Sequence, residues 1–150
     1  MEQGVKEIAV NRKAYHDFEI IDKYQAGLVL FGPEIKSIRL GKVQLKDSYI
    51  SFIHHEAFVK GMHISKFKEA SIFNQDEDRE KKLLLNKHEI IKLENKVKLD
   101  GLTIVPLRLY LSSGFAKLEI ALARGKNEFD KRQSDKERTM KMEAKKATYR

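Results

Sequence analysis

Up to Ala123 the chain is built from short apolar runs separated by polar or glycine-containing breaks. Asp17 to Ile21 and Gly27 to Phe31 are rich in β-branched and aromatic residues and predict a first pair of strands, the second broken by Gly32-Pro33. Glu34 to Leu40 follows with Ile35 and Ile38 three apart, Pro33 before it and Gly41 after it, which predicts a two-turn helix. Ser48 to Ile53 and Ala57 to Lys60 predict a hairpin around His54-His55-Glu56, and Met62 to Phe67 a further short strand. Glu69 to Lys82 is polar and charged and predicts an exposed loop, ended abruptly by Leu83-Leu84-Leu85. Asn86 with Glu89 three residues later is a capping-box pattern, and Ile90, Leu93 and Val97 then form a stripe that Gly101 can close. Leu102 to Leu111 and Phe115 to Ala123 predict two longer strands joined by Ser112-Ser113-Gly114. In the last strand Ala116, Leu118, Ile120 and Leu122 predict a buried face, and Lys117, Glu119, Ala121 and Ala123 a wetter one. Pro106 cannot donate a ladder hydrogen bond, so its strand is expected to be an edge or bulged there. About six short strands, seven with Met62 to Phe67, and two inserted helices predict a mainly β fold, a small closed antiparallel barrel ending near Ala123.

The residues after Ala123 are different material. Arg124 to Arg150 holds ten Lys or Arg against five Asp or Glu, a net of +5, whereas the first 123 residues carry only +3 of the total of +8. Asp130 to Thr139 contains no large apolar residue, so the segment cannot bury enough surface to offset its ordering entropy and is expected to be disordered when free. It is nevertheless rich in Lys, Arg, Glu, Met and Ala, with no Gly or Pro after Gly125, and is therefore helix-competent. A body of residues 1–123, approached by a polar stretch 1–16, and a basic tail of residues 124–150 is the expected organisation. A basic arm on a nearly balanced body points to a polyanion.

Several chemistries are disfavoured. The absence of cysteine removes disulfides, thiolate metal sites and thiol nucleophiles, and suits a reducing cytoplasm. No apolar run approaches the roughly 20 residues of a membrane span, and the first ten residues carry Glu2, Lys6 and Glu7 instead of a signal-type apolar stretch. The tail's Phe129, Met140, Met142 and Tyr149 do not gather into one apolar face for a membrane surface. The five histidines lack metal-ligand spacing, and no nucleophile elbow, phosphate loop or zincin motif occurs, so no catalytic residue, metal or cofactor is expected. An RNA-processing enzyme using His16 or His63 as acid or base would lack a second paired group. Arg79, Lys81 and Lys82 beside an apolar run could instead grip an RNA backbone, and Phe129 could either pack on the body or stack on a base.

Over nearly its whole length the sequence resembles the small protein B family, the bacterial tmRNA-binding proteins. The resemblance is carried in order by Asn11-Arg12-Lys13-Ala14 with His16-Asp17, Ala26-Gly27-Leu28-Val29-Leu30, Gly32 to Arg39, Gly41-Lys42-Val43 through Lys46-Asp47-Ser48-Tyr49, Met62-His63-Ile64-Ser65, Lys82-Leu83-Leu84-Leu85, Ile120 to Lys126, and Asp130-Lys131-Arg132 followed by Lys136-Glu137-Arg138. It implies an OB-fold-like barrel that binds the tRNA-like domain of tmRNA. It also implies a tail that enters the vacant mRNA path near the small-subunit decoding region of a stalled ribosome, allowing rescue and tagging of the unfinished peptide. The family's RNA-contact positions fall on Gln25, Leu84 and Lys117. Arg12, Lys13, His16, Lys36, Arg39, Lys81, Lys82 and Lys126 are further expected RNA contacts, and Phe129, Asp130, Lys131, Arg132, Lys136 and Arg138 expected ribosome contacts. A Glu usually precedes the Ala-Gly at which Gln25 stands here, and Phe129 replaces a Tyr or His. A cytoplasmic protein is expected, with nothing in the sequence arguing for more than a monomer, and the alternative is a generic single-strand- or ribosome-binding module that would lose most of its affinity with salt.

Overall fold

The computed structural model describes residues 4–68 and 76–126 and the isolated positions 132, 136 and 139. In chain order the elements are β1 (Val5–Val10), α1 (Arg12–Asp17), β2 (Phe18–Leu28), α2 (Gly32–Arg39), β3 (Val43–Gln44), β4 (Tyr49–Ile53), β5 (Glu56–Lys60), β6 (His63–Ile64), β7 (Lys81–Leu84), α3 (Lys87–Asp100), β8 (Thr103–Ser112) and β9 (Phe115–Gly125). Seven strands make one antiparallel sheet in the order β1-β8-β9-β2-β7-β5-β4, and β3 pairs with β6 in a small second sheet.

The fold is mainly β, as expected, but the ladder does not close into a barrel among the described residues. β4, at one end of the order, lies against β8 near the other end without pairing to it. Both edges of β8 are already taken, one by β1 and one by β9, so β4 can pack across the interior but finds no free backbone groups. The space enclosed by this curl holds the main core: Ile50, Val59, Leu83, Ile104, Leu109, Leu118 and Ile120 from the strands, Ile38 from α2 and Leu93 from α3.

Several local expectations are met with their reasons visible. Asn86 Oδ1 accepts the Glu89 N–H at 2.8 Å while Glu89 Oε1 accepts the Asn86 N–H, and Gly101 closes α3 in the left-handed region at φ 65°. Pro106 sits at a break in register between β8 and β9, the bulge its missing N–H requires. At the β4–β5 turn both His54 and His55 have positive φ, the pair of backbone angles a two-residue type I′ turn demands.

Other expectations are corrected. The stretch before Asp17 forms a strand and a helix. Asn11 supplies the reason: Oδ1 caps α1 by accepting the Ala14 N–H, while Nδ2 donates to the Pro106 carbonyl at 2.8 Å and its backbone N–H to the Leu107 carbonyl at 2.7 Å. The helix so anchored lays Ala14 over Val105, Leu107, Ala121 and Ala123 in a second small core. The face of β9 expected to be wet is thus dry at Ala121 and Ala123. The two strands expected over residues 17–31 are one strand, β2, and the end of the expected loop at residues 69–82 is the strand β7.

Candidate nucleic-acid interface

The outward face of β8, β9, β2 and β7 is set by strand alternation. With Ala26, Leu118 and Leu83 pointing into the core, their neighbours Gln25, Gly27, Lys117, Glu119, Lys82 and Leu84 point outward. Register then aligns them in rows: Gly27 opposes Lys117 on one side and Leu84 on the other, and Gln25 opposes Glu119. Gln25, Lys117 and Leu84, distant in sequence, therefore occupy one patch. Gly27 shapes it: a Cβ there would stand 3.4 Å from Leu84 Cβ and Cδ1, so its absence leaves the Leu84 side chain lying against bare backbone. Leu84 is 55% exposed.

Beneath this patch lies a polar network that the sequence did not announce. Glu119 is buried, and its carboxylate accepts from Gln25 Nε2 at 3.0 Å and Arg108 Nε at 3.2 Å, with Lys23 Nζ at 3.8 Å. Tyr110 Oη donates to Gln25 Oε1 at 2.6 Å, and the Arg108 guanidinium lies 4.5 Å from the Tyr110 ring centroid. An ionised carboxylate only accepts, so the amide nitrogen of Gln25 must face Glu119. A glutamate at position 25 could make neither this donation nor a charge-neutral contact with Glu119. The only sequence signal was Glu119 at an alternating position beside an alanine-rich stretch.

The remaining basic residues divide into groups. Arg12, Lys13 and His16 are on α1, which covers the far end of the same outer face, and Lys126 joins them: its N–H donates to the Asp17 carbonyl at 2.9 Å and Nζ to the Tyr15 carbonyl at 3.4 Å. Lys13 is paired with Asp47 at 2.5 Å, and the Asp47 hydrogen bond and charge hold its amine above the ordinary value. His16 Nδ1 sits 2.8 Å from Asp17 Oδ1. Lys36 and Arg39 are exposed on α2 instead of the sheet face, Lys36 Nζ lying 5.4 Å from the Phe67 ring centroid. Lys82 stays on the outer face and meets Glu56 at 3.3 Å. Arg79 clasps the Glu34 carboxylate with both Nε and Nη2, at 3.2 and 2.6 Å, and stacks 4.8 Å from the Phe31 ring centroid, which ties the end of the charged loop to α2.

Lys81 is a correction. Its side chain is fully buried, with Nζ donating to the Met62 carbonyl at 2.6 Å, so it offers nothing to a phosphate. Its neighbours in sequence gave it the look of a surface cation, but β7 alternation turns Lys82 and Leu84 outward and therefore Lys81 inward. Burial is the main reason its amine is lowered from 10.5 to about 8, with Glu34 opposing the shift. Because the unfolded chain holds this proton to higher pH than the folded one, stability should rise between pH 8 and about 10.5, by up to about 3 kcal/mol at 1.36 kcal/mol per unit. Thermal melts of wild type and Lys81→Met across that range should diverge, the variant lacking the rise; parallel curves would refute the buried charge.

His63, the other histidine weighed as an acid or base, has Nε2 2.9 Å from Glu77 and Nδ1 3.0 Å from Asp78, so both ring nitrogens hold the loop in place. Among the described residues no cluster of His, Asp and Glu suits a metal ion, and no helix is long and apolar enough to cross a membrane.

The model of the SmpB protein family matches residues 8–150. The chain belongs to the SmpB family. Its relatives include the SsrA-binding protein of Nitratiruptor sp., 54% identical over 95% of this chain and 97% of its own, and that of Persephonella marina, 50% identical over 93% and 92%. The SsrA-binding protein of Streptococcus mutans is 49% identical over 87% and 84%. A solved chain described as "tmRNA-SmpB: a journey to the center of the bacterial ribosome" is similar at 42% identity with a TM-score of 0.68, over 82% of this chain and 87% of that one. In this SmpB-family chain the expected tail contacts Phe129, Asp130, Lys131 and Arg138 lie outside the described residues, while Arg132 and Lys136 are helical and exposed.

Proposed function

We propose that the chain is a tmRNA-binding factor of trans-translation, acting as a cytoplasmic monomer and not as an enzyme. Its body, the curled OB-like sheet of residues 1–123, binds the tRNA-like domain of tmRNA. Its tail, residues 124–150, enters the vacant mRNA path of a stalled ribosome as a helix. The observation that carries this reading is the gathering of Gln25, Lys117 and Leu84 on adjacent strands of one outward face, in a chain of the SmpB family. Phosphate contact by Lys117, Lys82, Arg12 and Lys126 positions the RNA, and apolar contact by Leu84 with hydrogen bonding by Gln25 reads an unpaired loop. Gln25 retains a second acceptor lone pair on Oε1 beyond the one used by Tyr110. The test is a binding isotherm for the tRNA-like fragment of tmRNA at physiological salt with bulk tRNA as competitor. Binding that survives excess tRNA is expected; binding that tRNA removes would reduce the function to general RNA association.

A further inference from the structure

The outward face extends beyond Lys117 toward the β8–β9 hairpin. Phe115 precedes Lys117 by two residues on β9 and so points to the same side, and at 71% exposure it is the most exposed Phe or Tyr among the described residues. Val29 continues the alternation of Gln25 and Gly27: its N–H donates to the Lys82 carbonyl at 3.0 Å, and the residue is exposed. Leu84, Val29 and Phe115 thus form an apolar band beside Lys117, whose backbone is held in the β2–β9–β8 ladder and whose ammonium makes no ion pair or hydrogen bond among the described residues. A single exposed apolar residue means little, but this band is continuous with a cationic site. The nearby carboxylate, Glu119, is buried and already engaged by Arg108, Gln25 and Lys23. An open aromatic ring next to an uncommitted ammonium suits a partner that presents a flat π-face and a phosphate together, which is an unpaired nucleotide.

We infer that Phe115 is a stacking platform for an unpaired base of the bound RNA, with Lys117 taking the phosphate of that nucleotide or its neighbour. The inference deepens the proposed tmRNA site and rests on that reading. It adds a side chain that touches RNA through its π-face and carries no hydrogen-bond specificity, so it should tolerate any base.

The chain has no tryptophan, so Phe115→Trp installs a single reporter at the site. Its fluorescence should be quenched when the tRNA-like fragment binds, with affinity retained. Phe115→Tyr should also retain affinity, whereas Phe115→Ala and Phe115→Leu should each weaken it about tenfold. Leucine keeps the apolar area and loses the π-face, so full affinity in Phe115→Leu would overturn stacking, as would full affinity in Phe115→Ala. Ribosome rescue lost in Phe115→Ala with RNA affinity unchanged would assign the ring to a ribosomal contact and overturn the inference. A wild-type protein that fails to prefer the tRNA-like fragment over bulk tRNA would count against the proposed function alone, because quenching of Phe115→Trp by either RNA still reports stacking.

Discussion

A chain ended after Lys126 is expected to bind the tRNA-like domain of tmRNA with close to full affinity and to rescue no stalled ribosomes. The RNA-binding groups all precede the cut. The outward patch of Gln25, Lys117 and Leu84 and the α1 group of Arg12, Lys13 and His16 are all retained, as is Lys126, whose backbone and side chain are both bonded to the α1 segment. β9 ends at Gly125, paired with Phe18, so the cut leaves every described ladder intact. The removed segment carries eight Lys or Arg against five Asp or Glu, and its loss subtracts a modest, sequence-independent electrostatic contribution. What is lost is a basic arm with no Gly or Pro after Gly125, which the proposed function assigns to the ribosome and not to the tRNA-like domain. The measurement is a reconstituted tagging reaction run beside the binding isotherm. Destruction of the tmRNA complex by the truncation would sink the division of labour between body and tail.

The double substitution Leu84→Ala with Lys117→Ala is expected to weaken binding of the tRNA-like fragment about 100-fold without unfolding the protein. Losing a lysine–phosphate contact should also reduce the steepness of the salt dependence by about one counterion. Losing the Leu84 side chain removes apolar contact with an unstacked base or sugar, an effect on the order of 1–2 kcal/mol, or roughly tenfold. Each single variant should therefore account for about a decade. The two side chains flank the same glycine, so a shortfall from additivity would indicate that both hold one nucleotide. Stability should hardly change, since Leu84 is largely exposed and Lys117 has no described polar partner. Equal affinity of wild type and both single variants would remove this face from the RNA interface.

How much of this was legible in the chain differs by element. The α3 helix could be placed from Asn86, Glu89 and Gly101, because capping acts within four residues and reads the same in a sequence as in a fold. The β8–β9 hairpin and the bulge at Pro106 were legible for the same reason: a turn residue and a missing N–H are local facts. α1 had a local signal too, an Asn followed by helix formers, but what makes six residues stable as a helix is Asn11 bonding to the Pro106 carbonyl 95 residues away. Short helices depend on such tertiary anchors because nucleation is costly.

The sequence by itself determined a mainly β body, the capped helix that ends at Gly101, the contrast between a balanced body and a basic tail, and the candidates Gln25, Leu84 and Lys117 through their family resemblance. Only the tertiary structure decided which side of the sheet each residue occupies and which strands are neighbours. That is why Lys81 went from expected phosphate contact to buried amine, and why Ala121 and Ala123 went from wet face to second core. Strand alternation fixes the relative sides of neighbours, but burial depends on what covers each side, and that cover arrives from distant segments: α1 over β8 and β9, β1 along β8. The same dependence leaves the ladder unclosed among the described residues, since both edges of β8 are occupied by β1 and β9 and β4 packs on it without pairing.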